Sequence, residues 1–209
     1  MKNSKLQLPL SLIIISLFCA CSDMTINSPE KYLEVISENK TNISDSIAIE
    51  GLIFTLQYLP KEYIAFRSYG KTIKEYNNNE NLTKQYEGLQ FFEFTIFNPE
   101  GRTSVSLNDR YLNTESEEFS TYLDFSIQQD FSLLDGSDKL SCCYLHREIS
   151  DAITNRIKFT LAFPENINPK TDLYQDKTLE FNSWKLNLEE IKLSISASSI
   201  QSLPEFKIK

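Results

Sequence analysis

Any chemistry this chain performs must be built from a narrow set of side chains. It holds one histidine, His146, so a Ser-His-Asp or Cys-His relay has a single base available. His146 sits in the run Cys142-Cys143-Tyr144-Leu145-His146-Arg147, which reads as a strand from Leu140 onward. On a strand, Cys142, Tyr144 and His146 share one face, and Cys143, Leu145 and Arg147 the other. Positions four apart on a strand are separated by about 13 Å, so Cys142 and His146 cannot share a metal ion. Cys143 points away from the imidazole. No G-x-S-x-G elbow presents a serine. His146 is therefore expected to be a hydrogen-bonded or surface histidine.

The remaining candidates fall to simpler readings. Carboxylates cluster at Glu115-Glu117-Glu118 and at Asp135-Asp138; a glycosidase needs two of them facing across a cleft about 5–10 Å apart, which spacing alone does not supply. Asp135-Gly136-Ser137-Asp138 lacks the D-x-D-x-D-G ligand spacing of a calcium loop and reads as a hairpin turn. Ala65-Phe66-Arg67-Ser68-Tyr69-Gly70-Lys71-Thr72 matches a loose phosphate-loop pattern, with Ala for the first Gly. Phe66, Arg67 and Tyr69 would fill the cradle, so a strand end and a Tyr-Gly turn are expected there. Trp184 alternates with Leu186 and Leu188 and is expected in the core; if exposed, it would offer a stacking platform for a sugar ring. Cys142 and Cys143 are about 3.8 Å apart at Cα, below the usual disulfide range. Both are expected to stay reduced, the inward one as a small buried hydrophobe. No catalytic residue, metal site or cofactor is predicted.

Basic residues number 21 against 29 acidic ones, for a net charge of −8. A nucleic-acid backbone or an anionic lipid surface demands a basic face, so neither is an expected partner. Fourteen Phe and ten Tyr supply the payload of a core.

The first residues carry an address. Lys2 and Lys5 precede an apolar run from Leu6 to Phe18, and Ala20 precedes Cys21. That order is a secretory signal, and its run of about 13 residues is short of the roughly 20 that span a bilayer. The Ala20-Cys21 junction resembles a bacterial prolipoprotein signal, in which a diacylglycerol thioether forms on the cysteine before cleavage. Cys21 suits the acceptor role better than Cys19, because Ala20 is small and Phe18 is not. The resemblance covers about a tenth of the chain. It implies export, a signal peptide over 1–20, lipidation at Cys21 and anchoring in the bacterial outer membrane, with neither side specified.

Residues 21–46 read as a lipidated N-terminus and tether, with Ser28-Pro29-Glu30 starting a short helix that ends near Asn39. Residues 47–209 read as one domain. Alternation is plain in Leu52-Phe54-Leu56-Tyr58, over 89–97, over Arg156 to Phe163, and in Ile191-Leu193-Ile195. Both faces of 89–97 are apolar, so that strand is expected to be central. Glu118 to Leu134 is ambiguous: Phe119, Leu123, Ile127 and Phe131 recur every four residues, yet odd-numbered positions also alternate with polar ones. Strand is the expectation, because the helix would leave Phe125 off its apolar stripe. A strand return over Ser104–Leu107 and a surface loop at 77–81 complete the reading.

About ten short strands without long interleaved helices predict a mainly β chain, an antiparallel β-sandwich behind a short N-terminal helix. Its expected role is that of a lipid-anchored, non-enzymatic envelope protein. It would act by contact with a protein partner, as an assembly or docking component. The alternative is a surface lipoprotein that binds a glycan or small ligand. Docking is expected at a strand edge, with Phe206-Lys207-Ile208 the least protected.

Overall fold

The computed structural model describes residues 25–26, 28–38, 42–69, 83–101, 107, 116–148, 155–165 and 175–206. The expected signal peptide, Cys21, the loop at 77–81 and all of the expected return strand except Leu107 lie outside the described residues. In chain order the elements are β1 (Thr25–Ile26), α1 (Pro29–Glu38), β2 (Ser44–Ile49), β3 (Leu52–Leu59), α2 (Lys61–Tyr69), β4 (Leu89–Phe97), α3 (Ser116–Asp124), β5 (Phe131–Asp135), β6 (Asp138–Ser141), β7 (Tyr144–Arg147), β8 (Arg156–Pro164), β9 (Lys177–Phe181), β10 (Ile191–Ile195), α4 (Ala197–Gln201) and β11 (Glu205–Phe206). Single turns of 3-10 helix lie at Lys84–Tyr86 and Trp184–Leu186, and a longer one at Ser126–Asp130.

The chain is mainly β, and two antiparallel sheets pack face to face. One has five strands in the order β2-β3-β4-β8-β7, the other four in the order β10-β9-β5-β6. β4 is central, as its two apolar faces require. Phe92, Phe94 and Ile96 point into the sandwich and are fully buried. Phe94 leans on Phe131 at 5.0 Å and Phe181 at 5.2 Å, and those two rings stack at 4.7 Å. Aromatic contacts of this kind add about 0.5–1.5 kcal/mol each beyond the area they bury. Phe54, Leu56, Phe159 and Leu161 continue the same core from neighbouring strands.

Turn chemistry sets the registers. Asp135 pairs with Asp138 across Gly136-Ser137, and Gly136 has φ +62, the first-position glycine of a II′ hairpin. A side chain there would also collide with Gln175, whose Oε1 lies 1.5 Å from the Cβ position. The hairpin expected at this motif is present.

Several expectations need correction. The stretch from Glu118 is helix α3 and then a 3-10 turn, and strand geometry starts only at Phe131. The four-residue recurrence was the true signal, because Phe119, Leu123 and Ile127 are buried while Phe125 is 73% exposed. Residues 65–69 belong to helix α2, and no strand end lies there. Residues 184–186 form a 3-10 turn in place of a strand. Ser183 caps that turn by accepting from the Leu186 amide, and Asn187 ends it with φ 49. The single strand expected from Leu140 to Arg147 is two, β6 and β7, and they belong to different sheets. Cys142-Cys143 is the corner between them, and the Cys143 amide donates to the Ala162 carbonyl at 2.9 Å.

The described part of 21–46 is packed against the body. Tyr32 and Ile36 of α1 are buried in a second cluster with Ile26, Ile43 and Phe66, and β2 already begins at Ser44. β1 pairs in parallel with β11, Thr25 opposite Glu205 and Ile26 opposite Phe206. One edge of β11 at Phe206 is thus paired with the chain's own N-terminal segment; residues 207–209 lie outside the described residues. None of the helices among the described residues is long and apolar enough to cross a membrane.

Candidate functional site: a groove on the outer face of the five-stranded sheet

The outward faces of β4 and β8 carry Phe91, Glu93, Thr160 and Ala162, and α2 lies over part of them. Ile64 of α2 packs down on Leu59, Phe91 and Ala162. Where the helix stops short of the sheet edge, a groove of about 520 Å³ opens. Ile64, Arg67 and Ser68 of α2 form one wall, and Tyr144, His146 and Glu148 on or beside β7 form the other. Phe91, Thr160 and Ala162 make the floor, and Gln85, Tyr86 and Leu89 close one end. Tyr86 meets Phe91 edge-on at 5.5 Å, so the floor and end wall form one aromatic corner. Tyr144 is 51% exposed on the opposite wall.

The two walls are joined by charge. The Arg67 guanidinium donates to Glu148, 81 residues away in sequence, and lies 3.7 Å from Glu93. Glu93 also accepts from Lys158 at 3.1 Å. Burial pulls the Arg67 guanidinium toward neutrality, but the hydrogen bond and field of Glu148 outweigh it and hold Arg67 above its usual value. A groove walled this way is mostly apolar with a few fixed polar groups, the common make-up of small-molecule sites.

His146 stands exposed on β7, opposite Thr160 in register. Among the described residues no hydrogen bond joins it to a hydroxyl or a carboxylate. Tyr144 and His146 both face the groove, as the strand reading placed them. Cys142 does not join them, because the corner at Cys142-Cys143 breaks the strand. Cys142 is buried, with its thiol donating to the Tyr144 carbonyl at 3.1 Å, and burial pushes its pKa up to about 12. Cys143 is exposed, and both cysteines are free.

The other sequence candidates lie elsewhere. Trp184 is 68% exposed, contrary to the core position expected of it; its backbone is a turn, so Leu186 and Leu188 face inward without it. Asp135 is 2% exposed and committed to an ion pair with Lys177. Glu117 and Glu118 are exposed in the first turn of α3. Among the described residues no group of three or more His, Cys, Asp or Glu is placed to hold a metal ion. Gly70 to Thr72 of the phosphate-loop pattern lie outside the described residues.

No family model matches the chain, and neither does any curated protein. A solved structure, that of a protein of unknown function from Burkholderia pseudomallei K96243, is similar over 86% of this chain and 94% of its own, at 10% identity and a TM-score of 0.36.

Proposed function

We propose that this protein is a lipid-anchored binding module of the bacterial envelope, exported and attached through Cys21, that acts by contact and without catalysis. The contact surface is the groove over β4, β8 and β7. Its ligand is a glycan or another small polar molecule with one apolar face. One observation carries this reading. Tyr86 and Phe91 on one side and Tyr144 on the other frame about 520 Å³, and Arg67, His146 and Glu148 supply polar groups at its rim. Sugars are held by stacking an apolar ring face on an aromatic while hydroxyls find charged or amide partners.

Two partly occupied edges weigh against the strand-edge docking expected from sequence. β11 is paired by β1. The Ser194 amide on the β10 edge donates to Asp45 Oδ2 at 2.8 Å. A protein-contact role keeps one support, the exposure of Phe125 and Trp184 at 73% and 68%.

The test is saturation-transfer NMR on the full chain with a panel of neutral, amino and acidic mono- and disaccharides. Binding that is lost in Tyr144→Ala and kept in Trp184→Ala supports the groove. If no sugar of the panel binds, or if binding follows Trp184, the groove reading falls.

A further inference from the structure

Strand register lays the outward face of the five-stranded sheet out in rows. One row runs Gln57, Glu93, Thr160, His146 from β3 to β7. The next runs Thr55, Thr95, Lys158, and the Glu148 amide joins it by donating to the Lys158 carbonyl at 2.9 Å. Arg67 of α2 reaches both rows, because it pairs with Glu93 and with Glu148. Two cations and two carboxylates therefore meet here among the described residues, Arg67 and Lys158 against Glu93 and Glu148, and each cation is paired. The register neighbours of Glu93 add no charge. One is Thr160, and the other is Gln57, a buried amide whose Nε2 lacks a partner among the described residues.

The Arg67–Glu148 pair links the two walls, and both residues line the groove. Their hydrogen bond uses Nη2 of one and Oε1 of the other. A guanidinium has five N–H donors and a carboxylate two acceptor oxygens, so donors and acceptors lie side by side with capacity beyond that bond. A hydroxyl can accept from one partner and donate to the other. A carboxylate on a ligand can only accept, and it would meet Glu148. An ammonium can only donate, and it would meet Arg67. Either ion would also give up its water for a set of side chains with no net charge to receive it. The neutral imidazole of His146, on the Glu148 wall, is again one donor and one acceptor.

Resting on the groove reading above, we infer that the groove selects an uncharged sugar, whose adjacent hydroxyls bridge Arg67 and Glu148 while its apolar face lies on Tyr144. Arg67 and Glu148 then set specificity, and they do so as a pair. Losing either one turns a reader of hydroxyls into a reader of charge. Without Glu148, Arg67 and Lys158 face Glu93 alone, and an acidic sugar gains. Without Arg67, Glu93 and Glu148 face Lys158 alone, and an amino sugar gains.

The test is an NMR titration of the full chain at pH 7.5 and low ionic strength. The probes are methyl glycosides of the glucose, galactose and mannose series, each in three forms that differ only at C6: hydroxymethyl, carboxylate or ammoniomethyl. In the series that binds best, the neutral form should bind about tenfold more tightly than either ion. Glu148→Gln should improve the carboxylate relative to the neutral form by about tenfold, and Arg67→Gln the ammonium by a similar factor. Each ratio is taken within one variant, so a change in folded fraction cancels. Tyr144→Ala should abolish binding of all forms. Binding that is lost in Tyr144→Ala but strongest for an ion, or ratios unmoved by both charge variants, would overturn the specificity and leave the groove standing. No binding of any glycoside, or binding that survives Tyr144→Ala, would overturn both.

Discussion

Replacing Lys177 by methionine is the sharpest test of how the two sheets are joined at one end. Lys177 of β9 donates to Asp135 of β5, and the side chains are 9% and 3% exposed. Gln90 of β4, in the opposite sheet, donates through Nε2 to Asp135 Oδ2 at 3.0 Å and to the Pro164 carbonyl at 2.9 Å. Lys177→Met leaves a buried carboxylate whose remaining side-chain partner among the described residues is the Gln90 amide. Breaking a buried pair from one side costs about 3–5 kcal/mol. For a chain of this size each kcal/mol moves Tm by about 2–4 °C, so the variant should melt about 6–20 °C lower. Removing both charges, as Asp135→Leu with Lys177→Met, should recover most of that loss, because no charge is then stranded. Thermal unfolding followed by circular dichroism, with urea titration as a second measure, gives the four corners of the cycle. A single-variant shift under 2 °C, or a double variant as unstable as the two singles added, would refute the reasoning.

The remaining predictions are briefer. Iodoacetamide should modify Cys143 in the folded chain and Cys142 only after denaturation, since Cys142 is buried with its thiol near pKa 12; peptide mass spectrometry reads this, and a two-dalton deficit across the pair would show a disulfide instead. Glu180 is held down to about 2 by hydrogen bonds from Lys139 at 2.6 Å and Lys192 at 2.9 Å. A depressed carboxyl stabilises fully above its unfolded value of about 4.3 and loses that contribution as pH falls toward 2. The Tm gap between wild type and Glu180→Gln should therefore close between pH 5 and pH 2, and a constant gap would remove the ion pairs as its cause. Metabolic labelling with a fatty-acid analogue should mark the wild type and not Cys21→Ala; label persisting in the variant would move the attachment to Cys19 or remove it.

The strands that sequence reveals best are those buried on a clean period of two. β10 is such a strand, and most of β8 is; β4 shows instead through its run of apolar residues on both faces. Helix α2 hides for a definite reason. Ile64 faces the cluster with Leu59 and Phe91, while Phe66 faces the one with Tyr32 and Ile36. A helix wedged between two clusters has no single apolar stripe to detect. In α3 the helical recurrence is legible, and a strand follows only if Phe125 is required to be buried; a lone exposed aromatic is ordinary. The groove could not be found along the chain, because its walls come from α2, β4, β7, β8 and the turn at Lys84–Tyr86. Arg67 and Glu148 have no local pattern that announces their meeting.

The pairing of β1 with β11 has a mechanical side. Thr25 is fixed against Glu205, and only Ser22, Asp23 and Met24 separate it from Cys21. Fully extended, that span reaches about 14 Å. For a chain attached at Cys21 this is a short leash on a body whose first strand, first helix and last strand are clamped together. The end bearing Glu205 and Phe206 would ride close over the headgroups, with little freedom to tumble. Pulling on the anchor would enter the body first at the β1–β11 rungs.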